Sequence, residues 1–488
     1  MQPIATAFAG IAIAIAIASV TVIALTGAAQ PAAAQGANHS GGNGGDGIRC
    51  SSGRVEIAIV ACTHIIEDKR EEDENRAIAS RNRGFYYQQK GELDRAIADY
   101  TSALKHADMH SVQAKTYLNR GLIYFRKGDE VHALADYNEA VIQDPKLASA
   151  YINRASLFIS RGDNDRAIAD LGRAAELNPK DSAIYVSRGA LHARSGDQDR
   201  AIADYTRAIE LNPTNAMAFR DRGFAYRVTG DSVRAAADAA EAVRLDPGMA
   251  GAHQDLGLSL QAAGEAERAI AEFGRAIELN PMDAQALKAR GDSYLAEGNR
   301  ELAIADFSQA IRLDAKMTSA YVNRGVAYLG KSDWDSAIGD FTRAIALDAN
   351  QFAAYLNRGQ ARGAKHEREP AIADFTQAIR IKPEAAEAYR QRAFFRQEGG
   401  DGQGAIDDYD QAIEFNPRDA EAFRGRGFAR LSRHEPDAAI VDLTAAIALN
   451  PKDPLAYRFR GAAYAAKKDF KRANADEAAT RQLDPAAR

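Results

Sequence analysis

The sequence predicts an all-α protein built from about twelve stacked helix-turn-helix units of 34 residues. Three observations carry that reading. The string RAIADYTRAIELNP at 200–213 returns in near copies, as RAIADLGRAAELNP at 166–179, RAIAEFGRAIELNP at 268–281 and PAIADFTQAIRIKP at 370–383. Prolines stand in steps of 34 at 145, 179, 213, 247 and 281, and again at 383, 417, 451 and 485; at the two skipped stations, Ala315 and Ala349, the surrounding motif is intact. Helix formers rich in Ala dominate, with Gly and Pro at regular intervals. A fixed period of this length marks a repeat architecture, so the 488 residues need not be divided into conventional domains.

From the N-terminus, residues 1–34 carry no charged side chain. An apolar run from about Ile4 to Leu25 leads to small residues, with Ala32, Ala33 and Ala34 offering a cleavage site. This segment is read as an export signal. It lacks the usual Lys or Arg before the apolar run, and the run reaches the length of about 20 residues needed to cross a bilayer, so an uncleaved N-terminal anchor stays open. Either reading places the repeats outside the cytoplasm: periplasmic or secreted, or membrane-anchored and facing the periplasm. Residues 35–54 form a Gly-rich, flexible linker. Its glycines do not make a phosphate loop, because no strand precedes them and no Gly-Lys-Ser/Thr follows. VEIAIVACTHII (55–66) aligns with the second helix of a unit and is read as part of a capping half-repeat over 55–76. The array fills 77–488.

Within YINRASLFISRGDNDRAIADLGRAAELNP (151–179), the first helix should close at Gly162, a residue at ease in the left-handed conformation. Asp163 suits the start of the second helix, and Pro179 ends that helix by pushing Asn178 away from helical geometry. With units counted from residue 77 and three extra residues after the first, position 20 is Ala in all twelve copies and position 8 is always Gly or Ala. Position 24 is usually aromatic, as at Tyr100, Tyr205, Phe307 and Phe375. Small residues facing large ones give interdigitated helix pairs, and stacking of neighbours supplies the stability that no single unit has. The last second helix, RANADEAATRQLDP (472–485), replaces the aromatic by Glu477 and the small residue by Thr480, a polar outer face fit for a terminal unit.

This pattern closely resembles the tetratricopeptide repeat (TPR) family over about residues 77–487. The resemblance implies a right-handed α-solenoid superhelix in which the first helix of each unit, helix A, lines a concave groove and helix B backs it. One departure stands out. Position 7, apolar in the family, is Arg in eleven copies, and position 23 is Asp in eleven; one unit departs at both, with Leu256 and Glu272. We expect a ladder of Arg–Asp bridges between the paired helices, against the alternative that each Asp pairs within its own helix, as Asp204 with Arg200 or Arg207. As exposed pairs they would contribute about 0–1 kcal/mol each.

The implied groove supplies the candidate partner-binding residues. Position 6 carries Asn82, Asn119, Asn153, Asn323 and Asn357, whose carboxamides can both donate to and accept from a peptide backbone. Positions 5 and 9 carry Arg390 with Phe394, and Arg424 with Phe428; Arg458 continues the row, and Arg220 with Phe224 occurs earlier. Residues four apart share a helix face, so these pairs would form a basic, aromatic stretch for an acidic or aromatic segment. The plainer reading is packing for the phenylalanines and hydration for the arginines.

No catalytic, cofactor or metal site is expected: there is no nucleophile elbow, Walker loop or HExxH, and of nine histidines only His106 and His110, with Asp108 between, have ligand-like spacing. The formal charge of −5, with 62 basic and 67 acidic residues interspersed, argues against nucleic acid. In an oxidising compartment Cys50 and Cys62 should form a disulfide, contributing roughly 3 kcal/mol in the chain-entropy account; otherwise Cys62 is buried beside a free Cys50. The functional expectation is a non-catalytic scaffold that holds an extended segment of a partner protein. Two alternatives stay open: a self-associating, homo-oligomeric structural protein, or an accessory subunit of an envelope secretion or polysaccharide-export complex. Membrane contact would come only through the N-terminal anchor.

Overall fold

In the computed structural model, residues 44–51, 53–106 and 110–484 are described, and every regular element among them is an α-helix. The segment read as an export signal, and residues 35–43 of the linker, lie outside the described residues. The chain divides into two compact units after Ser259, inside the repeat that carries Leu256 and Glu272. Each unit is a row of antiparallel helix pairs in which the helices other than Ala250–Ala262, which spans the boundary, touch their neighbours in sequence.

One repeat shows how the sequence makes the pair. Helix A runs Ala148–Ser160 and helix B Asn164–Leu177. Between them Gly162 takes φ +74°, the left-handed turn expected of it. Asp163 caps helix B, its carboxylate accepting from the Arg166 amide at 3.2 Å. The same turn is made without glycine in four repeats, where Ser332, His366, His434 and Lys468 hold φ between 59° and 62°. At the end of helix B, Asn178 is non-helical at φ −131°, ψ 72°. Asp314 and Asp348 adopt nearly the same conformation ahead of Ala315 and Ala349, so proline is dispensable for this bend. The Asx turn explains why: the Asp314 and Asp348 carboxylates each accept an amide two residues on, at 2.9 Å.

The small-to-large contact between paired helices is tight. A Cβ on Gly325 would lie 2.7 Å from the Phe341 ring, and one on Gly121 2.8 Å from Tyr137. Phe273, Phe307, Phe341 and Phe375 are fully buried, beneath alanines of positions 20 and 27 that are equally buried. At the N-terminal end, helix Val55–Glu67 packs on helix Asp73–Gln89, with Cys62 buried. Part of the expected linker is itself helical, Gly44–Cys50, because Cys50 is bonded to Cys62 and buried with Ala61 and Ile65. In the last helix, Phe470–Leu483, Asp476 and Thr480 are buried and Glu477 is exposed.

All eleven Arg–Asp rungs form, each between helix A and helix B of one repeat. Nε and one terminal guanidinium nitrogen donate to the two carboxylate oxygens at 2.6–3.0 Å, from Arg83–Asp99 to Arg460–Asp476. Arg200 and Arg207 serve other acids, Asp197 at 3.3 Å and Glu210 at 2.8 Å. The rungs are far less exposed than the sequence suggested: the Asp side chains keep only 1–9 % of their surface. Burial raises the Asp136 pKa, with Arg120 pulling it down, while the bond to Asp136 raises that of Arg120. The remaining guanidinium nitrogen reaches the preceding repeat, donating to Thr101 from Arg120, Asn138 from Arg154, Thr206 from Arg222 and Ser308 from Arg324 at 2.8–3.1 Å. Nine of the eleven arginines tie three helices in this way, all but Arg188 and Arg290 among the described residues. The sequence does signal this link, in the Thr, Ser, Asn or, at Asp410, Asp that follows the position-24 residue.

Candidate functional site

Within each unit most successive A helices touch one another, as Asp73–Gln89 with His110–Arg126 in the first and Ala420–Ser432 with Pro454–Ala466 in the second. Among the described residues no two B helices approach comparably. The A row is thus the inner face of each unit, and positions 2, 5, 6 and 9 sit on it.

In the N-terminal unit this face is closed where asparagines were expected to be presented. Asn82, Asn119 and Asn153 are only 2–4 % exposed. Their neighbours explain the burial: Asn82 accepts from Arg81 at 3.1 Å, and Asn119 hydrogen-bonds the Tyr100 side chain of the preceding repeat. Position 6 thus lies over the preceding position-24 ring, which is also why it is Gly425 above Tyr409, where a Cβ would fall 2.3 Å from the ring. Further along, Arg220 stands 3.1 Å from Asp221 and 3.7 Å from Asp255, while Arg227 stacks on Phe224 at 4.8 Å and lies 3.4 Å from Asp255. Arg220 and Phe224, paired in the sequence reading, are each engaged by a different charged neighbour. Burial lifts the Asp221 carboxyl to about 6, against the pull of Arg220, and raises that of Asp255.

In the C-terminal unit the inner face is open. Asn323 and Asn357 are half-buried, and Asn323 donates to Asp292 at 2.6 Å. Phe394 keeps 48 % of its surface and Phe428 37 %. Phe428 stacks on Phe459 with ring centres 4.5 Å apart, and Phe394 meets Phe395 edge-on at 5.1 Å. The arginines beside them differ in state. Arg390 is held by Asp419 at 3.1 Å and by Glu421, and Arg424 by Asp453 at 2.7 Å. Arg458 is exposed and has no ion pair among the described residues. Sequence reasoning missed these acidic partners, although Asp419 and Asp453 each occupy the residue just before the next helix A. Their carboxylates also cap that helix, accepting from the amides of Glu421 and Leu455 at 3.0 and 3.1 Å.

The two remaining expectations have simple outcomes. Cys50 and Cys62 form a disulfide, with Cα atoms 4.8 Å apart. His106 and His110 serve different neighbours, Asp73 at 3.9 Å and Gln143 at 2.6 Å, and Asp108 lies outside the described residues.

Comparison with known proteins supports the repeat assignment. A profile of the tetratricopeptide repeat family matches residues 82–148, 152–216, 194–250, 255–318 and 288–354, together more than half of the chain. No curated protein matches significantly. Solved structures with a similar fold include YrrB, a TPR protein with an unusual peptide-binding site, at 23 % identity over 38 % of this chain and 95 % of that one, TM-score 0.34. The Cut9–Hcn1 hetero-tetramer of the APC/C matches at 14 % identity over 84 % of this chain and 93 % of that one, TM-score 0.43. Yeast Tom70 matches at 16 % identity over 85 % and 98 %, TM-score 0.35. With its period, its paired helices and these matched segments, the chain belongs to the tetratricopeptide repeat family.

Proposed function

We propose that this protein is a non-catalytic scaffold, acting outside the cytoplasm, that binds an extended segment of a partner protein on the inner face of its C-terminal unit. The observation that carries the reading is the exposure of Phe394 and Phe428, one repeat apart on the same helix position, beside a row of arginines. Large aromatic side chains left open on a rigid helical face mark interaction sites and dominate binding energy. TPR arrays serve as interaction scaffolds, and this face supplies apolar anchors and cations without nucleophile or metal chemistry. The Cys50–Cys62 disulfide supports the extracytoplasmic location, because such bonds persist in oxidising compartments.

The experiment is selection of a displayed random 12-residue peptide library on the purified chain. Enrichment of aromatic-containing sequences that is lost with Phe394→Ala plus Phe428→Ala supports this assignment. Enrichment untouched by that pair would locate binding elsewhere.

A further inference from the structure

The C-terminal unit shows twice what a position-5 arginine binds, and then presents the same arginine without its ligand. Arg390 engages Asp419 and Arg424 engages Asp453, in each case 29 residues on, where the next helix A begins. Both carboxylates are largely buried by the contact, keeping 13 % and 7 % of their side-chain surface. The corresponding residue for Arg458 is Ala487, which has no carboxylate to offer. Arg458 is accordingly exposed, with no ion pair among the described residues.

Its surroundings are apolar. Leu455, one helical turn earlier, is 41 % exposed, and the stacked Phe428 and Phe459 flank the same face. A guanidinium beside open apolar surface recognises a planar anion next to a hydrophobic side chain. We propose that Arg458 is a receptor for the side-chain carboxylate of an Asp or Glu in the partner segment, with an adjacent aromatic or aliphatic residue of that segment packing on Phe428 and Leu455. The two internal precedents are aspartate side chains, which favours an internal acidic residue over a free C-terminus. This inference rests on the scaffold reading and adds the chemistry of the ligand.

The test uses the same displayed 12-residue library, on the full chain and on two variants. Wild type should enrich Asp or Glu at a fixed spacing from an aromatic residue. Arg458→Ala should keep the aromatic and lose the acid, while Phe428→Ala should weaken the aromatic preference. For a synthetic peptide of the selected sequence with an amidated C-terminus, Arg458→Ala should weaken binding about fivefold to tenfold, and the loss should disappear when its acidic residue becomes Asn or Gln. Acidic enrichment that persists on Arg458→Ala, or aromatic enrichment on wild type with no acid, would overturn the inference and leave the scaffold standing. No enrichment on any protein would overturn the scaffold reading itself. Loss of binding on amidation, with the internal acid irrelevant, would transfer the contact to a terminal carboxylate and refute the assignment made here.

Discussion

Replacing Arg188 by Ala should cost about 3 kcal/mol of local stability in the fourth repeat. The magnitude follows from what is left behind. Asp204 is 6 % exposed, and its two oxygens accept guanidinium N–H groups at 2.8 and 2.6 Å. Without Arg188 the nearest cationic group is His192, 4.0 Å away, and burial lowers its pKa and so favours the neutral ring. A buried carboxylate stripped of its partner is far costlier than a lost surface pair. Replacing both members, as Arg188→Met with Asp204→Leu, removes the stranded charge, so the double variant should lose much less than the sum of the singles. We expect a coupling of about 2 kcal/mol. Unfolding of a repeat array is not reliably all-or-none, so the readout is hydrogen exchange of the amides in Ser182–Arg194 and Gln198–Leu211 under increasing urea. Arg200→Ala is the control, because Arg200 pairs with Asp197. Losses at Arg188 and Asp204 that add within about 0.5 kcal/mol would refute a direct, buried bridge.

Three further outcomes are expected. Ala315→Pro and Ala349→Pro should each stabilise their repeat by about 0.4–1 kcal/mol, read as a rise in Tm, since the preceding residue already has the pre-proline conformation. His366→Gly and His434→Gly should each raise stability by about 0.5–1 kcal/mol by relieving a left-handed φ of 61° and 62°. Asp221, with its carboxyl lifted from 3.8 to about 6 by burial, holds between these two values a proton in the folded state that it would release on unfolding. Its contribution is therefore unfavourable above pH 6 and is relieved as pH falls from 6 towards 4. Asp221→Asn should stabilise the N-terminal unit at pH 7.5 by about 1–2 kcal/mol and lose most of that advantage at pH 4.5, measured by urea unfolding at both pH values.

Much of the architecture was legible because twelve repeats state the same rule. Gly162, Asp163 and Pro179 mark turn, cap and stop in local sequence alone, and the matching of Gly325 to Phe341 follows from their fixed spacing. The Arg–Asp spacing of 16 likewise revealed the ladder, although its burial did not show, since solvent access depends on neighbouring repeats. The inner face was harder to read for the same reason. A helical wheel puts Asn119 and Asn357 at one position, yet only the packing of Tyr100 against Asn119 reveals that the first is covered. The aspartates that engage Arg390 and Arg424 close the same repeat, 29 residues on and next to the following helix A, beyond any within-helix pattern.

The guanidinium link to the preceding repeat also bears on how the rows come apart. Peeling one repeat away strands a donor in the next, so damage at one place is felt by its neighbour. Arg188 and Arg290 lack that tether among the described residues, because Gly172 and Gly274 stand where the tethered repeats offer a hydroxyl, a carboxamide or, at Asp410, a carboxylate. Those two seams are built-in perforations: a tear travelling along the chain under force or protease should halt or begin there.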